Sequence, residues 1–374
     1  MLSVRRAAPV VVGLTATLVM AVTTSFLWAT DTPASADAFA GALPNGGHLT
    51  REVSALPERL SETGLYLADG SIDPRNRPFV PVYPLWTDGA AKRRWIRLPE
   101  GARIDVSDID AWRFPPGTIL WKEFSWRGRK VETRMIRVES DSQVTFAAYV
   151  WNDSQTEALL APAEGVPRAF EIVAGKRHAI PGVADCGACH KSGPTPVLGF
   201  NALQLSDERD PLAPHAAALG TGAVTLRTLV EEDRLQPARP ELVTRPPRIR
   251  ERDPVGRAAI GYLSTNCGVC HNARGPLTRL GFSLQHDASG APNALEPALA
   301  TTLGATGRFV VSHDGAASAR LLVPGSPSES VLLQRMSSRR SAVQMPPLGT
   351  VLADMAAIKL VSRWIAGLRA AASR

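Results

Sequence analysis

The sequence predicts an α+β fold: an N-terminal β-sheet domain followed by mainly α-helical segments. Short β-rich runs alternate with polar turns between residues 79 and 183. Apolar residues recur at helical spacing near the C-terminus. Pro and Gly, 30 each in 374 residues, are scattered along the chain and favour long ordered loops over a helical bundle. This length allows two or three domains with a sizeable core.

Residues 1–36 read as an export signal. Arg5 and Arg6 form a basic start, residues 7–29 carry no charge, and Ala34-Ser35-Ala36 is a small-residue cleavage pattern. Cleavage after Ala36 delivers a periplasmic protein. Left uncut, residues 7–29 are about long enough to anchor the chain in a membrane, and the membrane is a partner only in that case. The formal charge of +7 comes from dispersed basic residues with acidic ones among them, which excludes a nucleic-acid footprint.

Residues 37–75 read as a leader with one short helix, about 53–63, ended by Gly64. A β-rich domain follows at 76–182, with strands at 119–124, 131–138 and 144–151 and turns at 127–129 and 139–142. Six of the eight Trp lie between Trp86 and Trp151, where they are expected to fill a sheet core. Glu123, Glu132 and Asp153 read as solvated charges. The region offers no triad, paired carboxylates or Gly-rich phosphate loop, so no catalytic residue is assigned.

The four cysteines fall in two identical patterns, Cys186-Gly-Ala-Cys189-His190 and Cys267-Gly-Val-Cys270-His271. In C-x-x-C-H both thiols add to the vinyl groups of haem, and the adjacent His supplies the proximal iron ligand. Disulfides or a zinc site need no His after each pair. With 7 His in 374 residues, two such coincidences arise by chance roughly once in a few thousand. Zinc thiolates also oxidise in an exported protein. Two covalently bound haem c groups are therefore expected, one in a first haem-binding segment at 183–250 and one in a cytochrome c-like domain at 251–374.

In the second of these, Pro254 and Gly256 open a helix leading into Cys267. Ile358, Val361, Ile365 and Leu368 mark a terminal helix, with Gly261 and Trp364 the expected partners where the two helices cross. Between them Met345 precedes two prolines on a stiff loop suited to hold a thioether over an iron, giving His271/Met345 ligation. His286 and His313 are the alternatives, each otherwise a surface residue. Met336 and Met355 read as core fillers. For the first haem, His190 has no downstream Met before Cys267. His215, on the proline-stiffened loop 210–215, is the leading second ligand, with His178, Met135 or an open site as alternatives.

These residues resemble a family of bacterial dihaem c-type cytochromes with a β-rich region before the haems. The resemblance rests on Tyr83-Pro-Leu-Trp86-Thr-Asp88, Lys92-Arg-Arg-Trp-Ile-Arg-Leu-Pro99, Phe114-Pro-Pro-Gly-Thr118, Tyr149-Val-Trp-Asn152, both haem motifs and Met345-Pro-Pro-Leu-Gly349. It covers about residues 60–370. Phe114-Pro-Pro-Gly-Thr118 with Lys122-Glu123-Phe124 is also similar to a strand segment of cytochrome P460-type proteins, which implies a β domain packed on the first haem. The expectation is an electron carrier between redox protein partners. The alternative is a haem oxidoreductase or peroxidase with an open first haem.

Overall fold

Side chains alternate between the two faces of a strand, so register decides what each face of a sheet presents. The computed structural model describes residues 55–369, apart from 142, 314 and 315 and the side chains of 311–316. The signal segment 1–36 lies outside the described residues. The first strands are β1 (Arg77–Pro78), β2 (Ala91–Arg97), β3 (Ile104–Asp105), β4 (Ile119–Trp126), β5 (Arg129–Val138), β6 (Val144–Trp151) and β7 (Ala158–Leu160). All but β3 join one antiparallel sheet in the order β1-β2-β4-β5-β6-β7. Between β4 and β5, Arg127 and Gly128 take φ of 51° and 77°, the two-residue turn whose twist suits a hairpin.

Trp95, Trp121, Met135 and Ala147 form one cross-strand row. They pack with Leu60 and Leu65, which cover that face of the sheet. The leader's helix is shorter than predicted, a 3₁₀ turn at Leu60–Thr63 closed by Gly64 at φ 82°. Trp112, Trp126 and Trp151 are buried too, as the core reading expects. On the opposite face Ile96 and Leu120 share a core with Phe200, Leu205, Leu226 and Leu235, supplied from beyond residue 183.

A separate hairpin, β8 (Gly165–Val173) and β9 (Lys176–Pro181), leads into α1 (Val183–His190). Next come α2 (Leu226–Glu231), β10 (Leu235–Gln236), α3 (Glu241–Thr244), α4 (Pro254–Asn266) and α5 (Pro297–Ala300). The hairpin of β11 (Thr306–His313) and β12 (Ala316–Arg320) precedes α6 (Val331–Ser337) and α7 (Met355–Gly367). This corrects the predicted α+β layout of an N-terminal β-sheet domain followed by mainly α-helical cytochrome c-type haem domains. The described residues are 21% helical and 24% strand, and strands recur after residue 183. β10 even pairs in parallel with β3 of the N-terminal region. Two physical causes apply. Pro- and Gly-rich loops cut most later helices to one or two turns. The second sheet face also had to be covered, and the segment after residue 183 supplies the apolar side chains. The described residues all fall within one unit, Val53–Arg374.

The two 13-residue helices are those the sequence located, α4 and α7. Asp253 caps α4 by accepting from Gly256 N, with Pro254 in the first turn. Their packing differs from the expectation in one respect. A Cβ on Gly256 would lie 3.0 Å from Trp364, so Gly256 is the small partner of that ring. Gly261 instead makes room for Tyr83, whose Cε1 is 2.2 Å from where a Cβ would stand. Tyr83 is buried, with its hydroxyl donating to Asp210 at 2.9 Å. Gly261→Ala is accordingly expected to cost about 1–3 kcal/mol by overpacking, read as a lower urea midpoint. An unchanged midpoint would show that Tyr83 swings clear. Among the described residues no helix is long and apolar enough to cross a membrane.

Candidate functional site

Both cysteine motifs stand on short helical turns whose geometry follows from their spacing. On α1, Cys186, Cys189 and His190 are at i, i+3 and i+4, one face of a helix. Gly182 caps the start of α1; a Cβ there would meet Ala163 O and Glu164 O at 2.7 Å, and Asp185 accepts from Gly182 N. His190 Nδ1 lies 2.6 Å from Pro196 O. A carbonyl only accepts, so Nδ1 carries the proton and Nε2 keeps its lone pair, the form that ligates a metal. Burial, then Lys122 and Arg134, lower the His190 pKa to about 4 against the raising effect of the Pro196 bond, so the ring is neutral at pH 7.

The second motif continues directly from α4. Cys270 N and His271 N both donate to Cys267 O, at 3.1 and 2.9 Å, which turns the segment once. Gly268 is required here, since a Cβ would lie 2.4 Å from Ser264 O. His271 stacks on Phe282 at 4.7 Å, and its buried Nδ1 has no hydrogen-bond partner among the described residues. None of the four cysteines is in a disulfide. Burial raises all four thiols, Cys267 to about 12, the opposite of a reactive thiolate pair.

The two motifs touch. Asn272, next to His271 and fully enclosed, donates to Ser192 O at 3.0 Å, two residues beyond His190. Gly275 approaches the same carbonyl so closely that a Cβ would lie 2.2 Å from it. Both motifs open on one cavity of about 1040 Å³, at the upper end of the ~300–1,000 Å³ that holds one small ligand. Cys186, Cys189, His190, Cys267, Cys270, His271 and Met345 all line it. Among the described residues no group of three or more His, Cys, Asp or Glu is gathered to hold a bare metal ion. Haem iron brings four porphyrin nitrogens and asks only for axial ligands. Four protonated thiols, two neutral imidazoles and a thioether around one cavity fit that group.

Met345 is fixed through its backbone, its N donating to Arg335 O on α6 at 3.0 Å. The loop beyond it is tied to the sheet region by Asp88, which accepts from Val351 N and Leu352 N. The other candidates part company. His215 does not line the cavity; its Nε2 is 2.8 Å from Asp354, the residue that caps α7. His178 lines it, buried, with Nε2 2.8 Å from Glu132; Met135 borders it too, but its side chain belongs to the opposite sheet face, packed with Trp121 and Leu60. His286 is not a surface residue but is buried against Glu296 at 2.9 Å; the side chain of His313 is outside the described ones. Met336 is buried as expected, whereas Met355 opens α7 and is 69% exposed.

The reading of Glu123 and Glu132 as solvated is corrected. Both are buried, Glu123 paired with Arg93 and Glu132 with Arg134. Asp153 is solvent-exposed beside Arg129. Sequence reasoning also missed Arg94, Lys122 and Arg134, which line the cavity next to the first motif. Part of their signal was available: on the same face Lys122 is flanked two residues away by Leu120 and Phe124, and Arg94 and Arg134 have Ile96 and Ile136 on one side, though Lys92 and Glu132 on the other. Compared with known protein families, with curated proteins and with solved structures, the chain gives no match.

Proposed function

We propose that this chain is an exported, periplasmic dihaem c-type cytochrome that passes electrons between redox protein partners. The observation that carries the reading is that two C-x-x-C-H segments line one cavity and are joined by the Asn272–Ser192 hydrogen bond. Cys186, Cys189, Cys267 and Cys270 would attach two haems, and His190, His271 and Met345 would be the side chains that hold their irons. Haem iron supplies one-electron chemistry. The chain's own part is to fix the ligands. Pro196 O orients His190, Phe282 orients His271, and Arg335 O holds the Met345 loop. Asn272 keeps the two attachment turns in contact, so that electrons need not cross a layer of solvent.

A second reading, a haem oxidoreductase acting at the first haem, is favoured by the placement of His215 on Asp354 instead of on the cavity wall. One experiment addresses both. Intact mass of the mature chain is expected to exceed the polypeptide by two haems, and a redox titration to resolve two one-electron steps. A bare polypeptide mass, from cells able to attach haem, overturns the proposal. Carbon monoxide that binds neither reduced haem supports electron carriage, while one equivalent bound selects the oxidoreductase.

A further inference from the structure

The cavity face of the sheet carries a charge pattern that packing does not explain. Arg94 stands directly opposite Lys122, and Lys122 opposite Arg134, so three cations form one row across β2, β4 and β5. Like charges in facing positions destabilise a sheet, and withdrawing each from bulk water adds to the cost. Lys92 is two residues from Arg94 on the same face. On this face of β2, β4 and β5 the described strands carry one carboxylate, Glu132, engaged by Arg134 at 2.6 and 3.0 Å and by His178 at 2.8 Å; Asp88, from the loop before β2, acts on Lys92. Among the described residues the side chains of Arg94 and Lys122 have no hydrogen-bond or ion-pair partner. The Lys122 ammonium lies 4.9 Å from the Phe124 ring, which Arg134 shares at 4.3 Å. All three cations line the cavity beside Cys186, Cys189 and His190. Donors directed into a cavity without an acceptor, and retained despite mutual repulsion, mark a site held for a ligand at the expense of stability.

We propose that Arg94, Lys122 and Arg134 form an anion site on the cavity wall, which takes a compact carboxylate or inorganic oxyanion. Guanidinium groups match such anions through paired N–H donors, and an ammonium between them adds a point charge. Two sources share this chemistry: a carboxylate of a haem attached at Cys186 and Cys189, and a free anion entering from solvent. The first source rests on the haem reading above; the second does not.

Calorimetric titration of the purified mature chain with sodium formate and with sodium sulfate, at constant ionic strength, separates the two. Intact mass and redox potentials are recorded on the same samples. Saturable binding of about one equivalent, weakened about tenfold or more by Lys122→Met and by Arg94→Met, identifies a free anion. No binding, with one haem potential lowered and newly pH-dependent in both variants, identifies the haem carboxylate. Either result upholds the site. No binding to the wild type with unchanged potentials in both variants overturns it. Should the mass show no haem, the functional reading fails, and formate binding with its loss in Lys122→Met then decides the anion site alone. Each variant removes a repelled charge and is expected to melt no lower than the wild type. A lower melting temperature with binding and potentials unchanged would make the cations structural and overturn the proposal.

Discussion

On the proposed dihaem reading, Met345→Ala is expected to lower the potential of one haem by on the order of 0.1–0.3 V, within the ~0.8 V range that axial ligands span, and to leave the other unchanged. A thioether favours ferrous over ferric iron more than nitrogen or water does, so its loss shifts the balance toward the oxidised state. The effect should fall on the haem of His271. Among the described residues that imidazole has no acceptor at Nδ1, whereas His190 donates to Pro196 O. A hydrogen bond at Nδ1 makes the opposite nitrogen a stronger donor, so a haem held by His271 would also be the higher in potential on this ground. The weak charge-transfer band of sulfur-ligated ferric haem should vanish with the side chain. Met336 supplies the contrast. It is a buried residue of α6, and Met336→Ala should destabilise the fold by about 2–5 kcal/mol while keeping the band. A band that survives Met345→Ala would transfer the ligand role to another residue.

What the sequence made legible was local. The C-x-x-C-H motifs are self-contained, since Cys, Cys and His four residues apart need only one helical turn to converge. Pro254 after Asp253, the Arg127-Gly128 turn and the period of Ile358, Val361 and Ile365 likewise specify structure within a few residues. What was not legible depended on distant contacts. His215 is occupied by Asp354, 139 residues away, so its loop chemistry could not reveal its partner. The place expected for Gly261 belongs to Gly256, because Tyr83 enters from the N-terminal region. Charged residues alternating in β2, β4 and β5 imitate a wet sheet face. They are enclosed because Phe200, Leu226 and their neighbours close over the same face, and no local pattern announces that.

The same enclosure makes Glu132 the most consequential acidic residue of the sheet. Its carboxylate is fully buried and is the counter-ion of Arg134, in a neighbourhood that also holds Lys122. Burial pushes its pKa up, but Arg134 and His178 together outweigh burial and hold it at about 2, against an ordinary value of 4.5. Glu132→Gln keeps the shape and removes the charge, leaving Arg134 beside Lys122 without its anion. Breaking a buried pair from one side costs about 3–5 kcal/mol. The linkage agrees in size: a fall from 4.5 to about 2 corresponds to about 3 kcal/mol. Because the folded value is the depressed one, this contribution is present above pH 4.5 and is lost as pH falls through about 2. Urea melts across that interval should show the wild type losing stability toward acid, while Glu132→Gln starts lower and loses less. Equal midpoints at pH 7, or parallel acid curves, would mean that Arg134 finds another anion. In that case the anion site beside it offers the replacement, and sulfate should then stabilise Glu132→Gln more than it stabilises the wild type.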